Sequence, residues 1–158
     1  MFYGESSHVL DGKFRVTIPK RFQEQLGREL GPESTGTLAC FLTRGQDRCL
    51  YLFTEKGFER ALAGLSIAAF NGENQRAAQR VFFANTARVE LDAQGRVLVP
   101  EKLRAHLGTD KDVVIVGVGD HAEIWAKDVW EAYSAQHEAI LDSVDQVLGR
   151  AGRTAPNT

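Results

Sequence analysis

The pattern of apolar and polar positions runs through one short programme and then runs through it again. His8-Val9-Leu10 reads as the end of a strand, and Arg15-Val16-Thr17-Ile18 alternates polar and apolar residues as a half-buried strand does. Pro19 suits the first turn of a helix, Phe22 and Leu26 lie four apart on one helical face, and Gly27 stands where a C-cap is expected. Residues 38–43 and 49–53 are apolar runs joined by Arg44-Gly45-Gln46-Asp47-Arg48, the pattern of a β-hairpin. Thr54 can cap a helix carrying Phe58, Leu62 and Leu65. After Asn71-Gly72 a second helix is predicted over 73–84, with Ala77, Ala78, Val81 and Phe82 on one face and Arg76 and Arg80 on another.

The programme restarts near Arg88. A strand at 89–91, a loop at 92–96, a return strand at 97–99 and a helix opened by Pro100 repeat the first copy, with Leu103, Leu107 and Gly108 matching Phe22, Leu26 and Gly27. A second hairpin follows over 113–118 and 123–125, turning at Gly119-Asp120. Phe53 then corresponds to Trp125, Phe58 to Trp130 and Glu59 to Glu131, so the likeness runs well beyond the loop. Asp128 and Glu131 have capping-box spacing and open a helix reaching to about 148. Trp130, Tyr133, His137, Ile140, Val144 and Val147 form a seam along it, fit to pack on its own domain or on another subunit. The chain thus divides into a first repeat over 1–54, a helical connection over 55–86, a second repeat over 87–130, a C-terminal helix over 131–148 and a disordered tail over 149–158.

The strongest part of the duplication is a ten-residue stretch, LDGKFRVTIP from Leu10 and LDAQGRVLVP from Leu91, aligned without a gap at an offset of 81 (Asp11 to Asp92, Arg15 to Arg96). An Asp followed by a short run containing Gly favours a turn, because its carboxylate can accept from backbone N–H groups two residues on while Gly tolerates positive φ. Asp and Arg then flank the loop at i and i+4. Two readings stand side by side: an internal ion pair that rigidifies the loop, or an Asp that shapes the loop while the Arg fork reaches a phosphate or a base edge.

Composition narrows the classes. At 158 residues and 43% hydrophobic, the chain can bury a core as one compact unit or two small lobes. A net charge of −2 argues against indiscriminate coating of nucleic acid, so any such site must come from local clustering. No signal peptide and no apolar run near the ~20 residues of a membrane span is evident, which points to a cytoplasmic protein without a membrane partner. Cys40 and Cys49 then read as buried thiols in a reducing compartment. His8, His106, His121 and His137 are scattered, with no metal-ligand spacing, and Gly117-x-Gly119 reads as hairpin punctuation rather than a phosphate loop. The expectation is therefore no enzyme, no catalytic residues, no metal, no cofactor and no small-molecule substrate.

At the paired loops the sequence is similar to the MraZ family, bacterial transcriptional regulators built from two tandem SpoVT-AbrB domains. The likeness rests on Met1-Phe2-Tyr3-Gly4-Glu5, His8, both Asp-to-Arg loops with their Ile-Pro and Val-Pro endings, and the region from Trp125 to Trp130. One departure concerns the residue before the Arg, usually Gly in the family as in Gln94-Gly95-Arg96. The first loop has Phe14 there and Gly at position 12, which sets an aromatic side chain beside the ligand. The resemblance implies a β-rich α+β fold, an AbrB/MraZ-like double-split β-barrel made from two pseudo-symmetric β-hairpin/helix repeats, with a C-terminal helix. It also implies a sequence-specific, DNA-binding repressor of the division and cell-wall operon, a ring-shaped homo-oligomer that binds direct repeats of its own promoter and associates with the nucleoid. Carried over by position, the DNA-binding residues are Asp11, Lys13 and Arg15, and Asp92, Gln94 and Arg96. Four phosphate neutralisations per chain would give a salt slope of only roughly −3.6. A ring meeting several DNA repeats adds avidity of about 10² to 10⁴. The competing reading is an antitoxin-like or protein-binding AbrB-type module, for which the loops are structural and the helix from Trp130 to Val147 is the working surface.

Overall fold

Each copy of the ten-residue stretch folds as strand, loop, strand, helix, because the alternation of Arg-Val-Thr and Arg-Val-Leu buries only the central valine while Pro fixes the start of the helix. In the first copy these are β1 (Glu5–Val9), β2 (Arg15–Thr17) and α1 (Lys20–Arg28), followed by the hairpin β3 (Ala39–Arg44) and β4 (Leu50–Phe53). Helices α2 (Glu55–Ala63) and α3 (Glu73–Ala84) connect to β5 (Ala87–Glu90), β6 (Arg96–Leu98), α4 (Glu101–Leu107), β7 (Asp112–Gly117), β8 (Ala122–Ala126) and α5 (Lys127–His137). This computed structural model describes residues 1–30, 34–65 and 70–143. The expected disordered tail, 149–158, lies outside the described residues.

All strand pairings are antiparallel, and they form a six-stranded sheet in the order β1-β7-β8-β4-β3-β5 and a two-stranded ribbon of β2 and β6. Exchanging the two copies maps this order onto itself, with β1 trading places with β5, β3 with β7 and β4 with β8. The first copy's β1 pairs with the second copy's β7, and the second copy's β5 pairs with the first copy's β3. The closed barrel expected from the resemblance is not formed. β1 and β5 stand at opposite edges of the larger sheet, and β2 and β6 pair only with each other. The fold is β-rich α+β with two tandem copies, but open.

The core is built from matched residues of both copies. Leu10 and Leu91, Val16 and Val97, Ile18 and Val99, Phe22 and Leu103, and Leu26 and Leu107 are all buried, together with Leu42, Leu50, Leu52, Ile115 and Ile124 from the sheet. Phe2 joins this cluster and packs edge-on against Phe22, whereas Tyr3 is exposed. Phe2 and Gly119 exchange backbone hydrogen bonds of 2.8 Å. This crossing requires Gly117, since a Cβ there would lie 2.2 Å from the Tyr3 nitrogen.

Several local expectations change. α1 continues through Gly27 to Arg28 and is capped at Glu29, two residues beyond the position at which the matching α4 ends, because the longer connection after it leaves the chain room. Gly108 does cap α4, in the left-handed region at φ 74. Thr54 accepts from Gly57 N at 2.8 Å, but α2 stops at Ala63 and leaves Leu65 exposed. No residue of α3 is buried: Ala77, Ala78 and Val81 face solvent, and Phe82 is half-buried, its ring stacked 6.3 Å from Phe58.

Met1–Lys127 forms one compact unit, and the residues from Asp128 onward belong to a second. The helix expected over 131–148 starts earlier, at Lys127, the last residue of the first unit, and turns into a 3-10 segment at Glu138–Asp142; Val144 and Val147 lie outside the described residues. Asp128 therefore sits inside the first turn rather than at the N-cap, and its Oδ1 accepts from Val129 N. Trp130, Tyr133 and His137 stack in succession along α5, and His137 Nδ1 donates to the Tyr133 carbonyl at 2.8 Å.

At the β7–β8 turn, His121 has a carboxylate at each ring nitrogen: Asp120 Oδ1 2.6 Å from Nδ1 and Glu123 Oε1 3.1 Å from Nε2. Its ring lies 4.7 Å from Tyr51 and 5.3 Å from Phe53. Burial lowers its pKa, but the hydrogen bonds its ring donates to the Glu123 and Asp120 carboxylates outweigh that, and the net direction is upward. A raised histidine contributes stability that is complete below its unfolded pKa of about 6.5 and is lost as pH rises through the folded value. Thermal midpoints of the protein and of His121→Gln, followed from pH 6 upward, should therefore converge as the pH climbs; an unchanging difference would mean that the imidazolium adds nothing.

Candidate nucleic-acid interface

Each loop is organised by its aspartate. Asp11 Oδ1 accepts from Lys13 N and Arg15 N, both at 2.9 Å, and Oδ2 accepts from Arg15 Nε at 2.7 Å. Asp92 does the same with Gln94 N and Arg96 N at 2.9 Å and Arg96 Nε at 2.8 Å. The loop backbones close identically, Phe14 N donating to Asp11 O and Gly95 N to Asp92 O, both at 2.9 Å. Hydrogen bonds from the arginine backbone N–H, with further bonds from the guanidinium and loop N–H outweighing desolvation, hold both carboxyls below the usual carboxylate range. The aspartates thus serve as loop scaffolds.

The turn requires a left-handed residue before the arginine. Gly95 supplies it at φ 75 and Phe14 at φ 59, so the first loop keeps the geometry of the second despite its bulky side chain. What differs is the residue above. Over Gly95 lies Gln23 of α1, whose Nε2 would be 2.2 Å from an added Cβ and which donates to the Ile18 carbonyl at 2.7 Å. Over Phe14 lies Arg104 of α4, whose Nε donates to the Val99 carbonyl at 2.8 Å and whose guanidinium sits 4.0 Å from the ring centroid. Gln23 and Arg104 occupy the same place in the two copies, at the offset of 81 that relates the loops.

The copies are then joined face to face. β2 and β6 pair as Arg15↔Leu98, Val16↔Val97 and Thr17↔Arg96. Val16 and Val97 point into the core, which leaves Arg15, Thr17, Arg96 and Leu98 together on the outer face. Ile18 N donates to Gly95 O and Val99 N to Phe14 O, each at 2.9 Å, so each loop's left-handed residue anchors the other copy's strand end. The loops are close enough for Arg96 Nη1 to lie 3.8 Å from Asp11 Oδ2.

All six residues named from the sequence are therefore gathered in one place. Lys13 and Gln94 are exposed, and the Arg15 and Arg96 side chains retain 31% and 28% of their surface. The internal ion pair is formed in both loops, and within each guanidinium only Nε is used by the loop's own aspartate. Arg96 Nη2 also donates to Gln94 Oε1 at 3.3 Å, while among the described residues the Arg15 Nη groups have no hydrogen-bond partner. Of the helix cations, Arg104 reaches the loops. Arg21 instead lies over Tyr3 and Phe22, and Lys20 and Lys102 are exposed. Gln23 and the stacking role of Phe14 escaped sequence reasoning; comparing positions at the offset of 81 would have paired Gln23 with Arg104.

Among the described residues no group of three or more His, Cys, Asp or Glu is placed to hold a metal ion. Cys40 and Cys49 are free and buried; burial pushes the Cys40 thiol up to about 12 and the Cys49 thiol upward as well. Among the described residues no helix is long and apolar enough to cross a membrane.

This arrangement defines a class: tandem β-loop-β-helix repeats that intertwine their strands and present two Asp-to-Arg loops side by side. The family profile described as "MraZ protein, putative antitoxin-like" matches the chain twice, over residues 1–81 and 82–148. The chain is 38% identical over 152 residues to a protein of Acetivibrio thermocellus, covering 96% of this chain and 99% of the relative, and 40% identical over 148 residues to one of Carboxydothermus hydrogenoformans, covering 94% and 96%. A protein of Moorella thermoacetica is 37% identical over 148 residues, covering 91% and 96%. All three carry the name Transcriptional regulator MraZ. The chain belongs to the MraZ family.

Relieving the left-handed Phe14 by Phe14→Gly should gain about 1–2 kcal/mol of backbone strain and lose about 0.5–1 kcal/mol of cation–π attraction, leaving stability within ~1 kcal/mol of the parent. Gly95→Phe should be clearly destabilising because Gln23 fills the space. Urea denaturation of both variants checks this; equal effects would show that the loops are packed alike.

Proposed function

We propose that this protein is a sequence-specific DNA-binding transcriptional regulator, acting as a repressor of the division and cell-wall operon that it belongs to. Asp11, Lys13, Arg15, Asp92, Gln94 and Arg96 form its DNA-facing surface, in which Asp11 and Asp92 fix the loops and the cations meet the duplex. The observation that carries this reading is the side-by-side presentation of Arg15 and Arg96 with guanidinium edges left for an incoming acceptor. A planar fork held at Nε by a carboxylate loses little freedom on binding and matches a phosphate or the O6/N7 edge of guanine. The names of the relatives agree with a role in transcription.

A protein with a net charge of −2 needs repetition to hold DNA at cellular salt. A ring of subunits meeting direct repeats in the promoter supplies it, because once one subunit is bound the next binding events become intramolecular. On this reading the protein works in the cytoplasm, at the nucleoid. A protein-binding, antitoxin-like module gives the loop cations no task.

Fluorescence anisotropy with a duplex from the protein's own upstream region, against increasing KCl, tests the assignment. Arg15→Ala and Arg96→Ala should each weaken binding, by about 1–3 kcal/mol where the arginine reads a guanine, or with a salt slope lower by about one where it meets a phosphate. The double variant should lose specific binding while keeping its circular dichroism spectrum. Full-strength binding by the double variant would refute the proposal.

A further inference from the structure

The two loops are alike in backbone and unlike in what stands over them, and the difference is one of charge. At the second loop the position is filled by Gln23, a neutral amide pressed on Gly95. At the first it is filled by Arg104, whose Nε is fixed by the Val99 carbonyl and whose guanidinium lies close over Phe14, its carbon 4.0 Å from the ring centroid. Among the described residues the Nη groups of Arg104 have no hydrogen-bond partner, and the residue is half-exposed. Phe14 holds a left-handed conformation, at φ 59, that glycine adopts more easily. A bulky residue kept there, together with an arginine in place of glutamine over it, makes a stacked guanidinium on a fixed platform beside Lys13 and Arg15.

We propose that Arg104 is a phosphate-binding residue of the first loop, with Phe14 as its positioning platform, so that the two loops of one subunit grip DNA unequally. The first loop offers Lys13, Arg15 and Arg104 to the backbone, and the second offers Arg96 with the neutral Gln94 and Gln23. The proposal rests on the DNA-binding reading above and extends it. A subunit with two identical loops would bind a site equally well in either direction; unequal loops give it one preferred direction.

The test uses the full chain in its native assembly and the upstream duplex. Arg104→Gln copies the solution already present at Gln23, so the bond to the Val99 carbonyl can be kept and the fold with it. It should lower the salt slope by about 0.9 for each phosphate left unneutralised per bound subunit, equally on specific and unrelated DNA. Gln23→Lys, which adds a cation over the second loop, should steepen the slope. Phe14→Leu removes the platform and keeps the charge, and should raise Kd with the slope unchanged. If Arg104→Gln keeps the parental slope while Arg96→Ala lowers it, DNA binding stands and this inference falls. If the Arg15→Ala/Arg96→Ala double variant binds the upstream duplex at full strength, the DNA-binding reading itself falls, and this inference with it. Thermal melting of each variant separates a binding defect from unfolding.

Discussion

Two backbone hydrogen bonds hold the arrangement together: Ile18 N to Gly95 O and Val99 N to Phe14 O. Each runs from one copy of the repeat to the other, and each is accepted by the residue whose left-handed turn makes the loop. Neither loop can therefore be set in place without the other. Val16 and Val97, buried at the centre of the ribbon, lock its register, and a slip of one residue between the strands would turn one of the valines outward and the arginine beside it into the core. The placing of Arg15 and Arg96 on one face follows from this constraint.

The same exchange governs the larger sheet. β1 belongs to the first copy by sequence but to the second by pairing, and β5 the reverse, so each copy completes the other's hairpin. Matched core residues follow from matched positions, Phe22 facing the same task as Leu103 and Leu26 the same as Leu107. Within this frame the copies have diverged where the backbone allows. Phe14 with Arg104 and Gly95 with Gln23 are two solutions to one loop geometry, and they turn a symmetric scaffold into an electrostatically uneven one. Local placement of cations, not overall charge, is what the surface offers.

Much of this was legible in the residues. The Asp-to-Arg spacing, the alternation of Arg-Val-Thr-Ile, and the proline that opens each helix act over a few positions, and the loops, strands and helices they predict are those found. The offset of 81 also pairs core residues of the two copies, Phe22 with Leu103 and Leu26 with Leu107. What did not show was anything decided at long range. Nothing local distinguishes a strand that pairs within its own copy from one that crosses to the other, so the open sheet with edges at β1 and β5 replaced the expected barrel. Gly27 has the composition of a helix stop, yet the longer connection behind it lets α1 run on to Arg28. The seam read along 130–147 assumed an unbroken α-helix, whereas the geometry tightens after His137. Asp128 showed the spacing of a capping box, but the helix begins one residue before it, where its side chain has a different task.

The central claim is that two loops, locked together by their own backbones, meet the duplex as one surface. Hydrogen–deuterium exchange of the full chain, with and without duplex from its upstream region, addresses that claim directly. Residues 11–17 and 92–98 should gain protection together, with the α3 and α5 backbones unaffected. Protection confined to one loop, or appearing on α5 while both loops exchange as before, would contradict it.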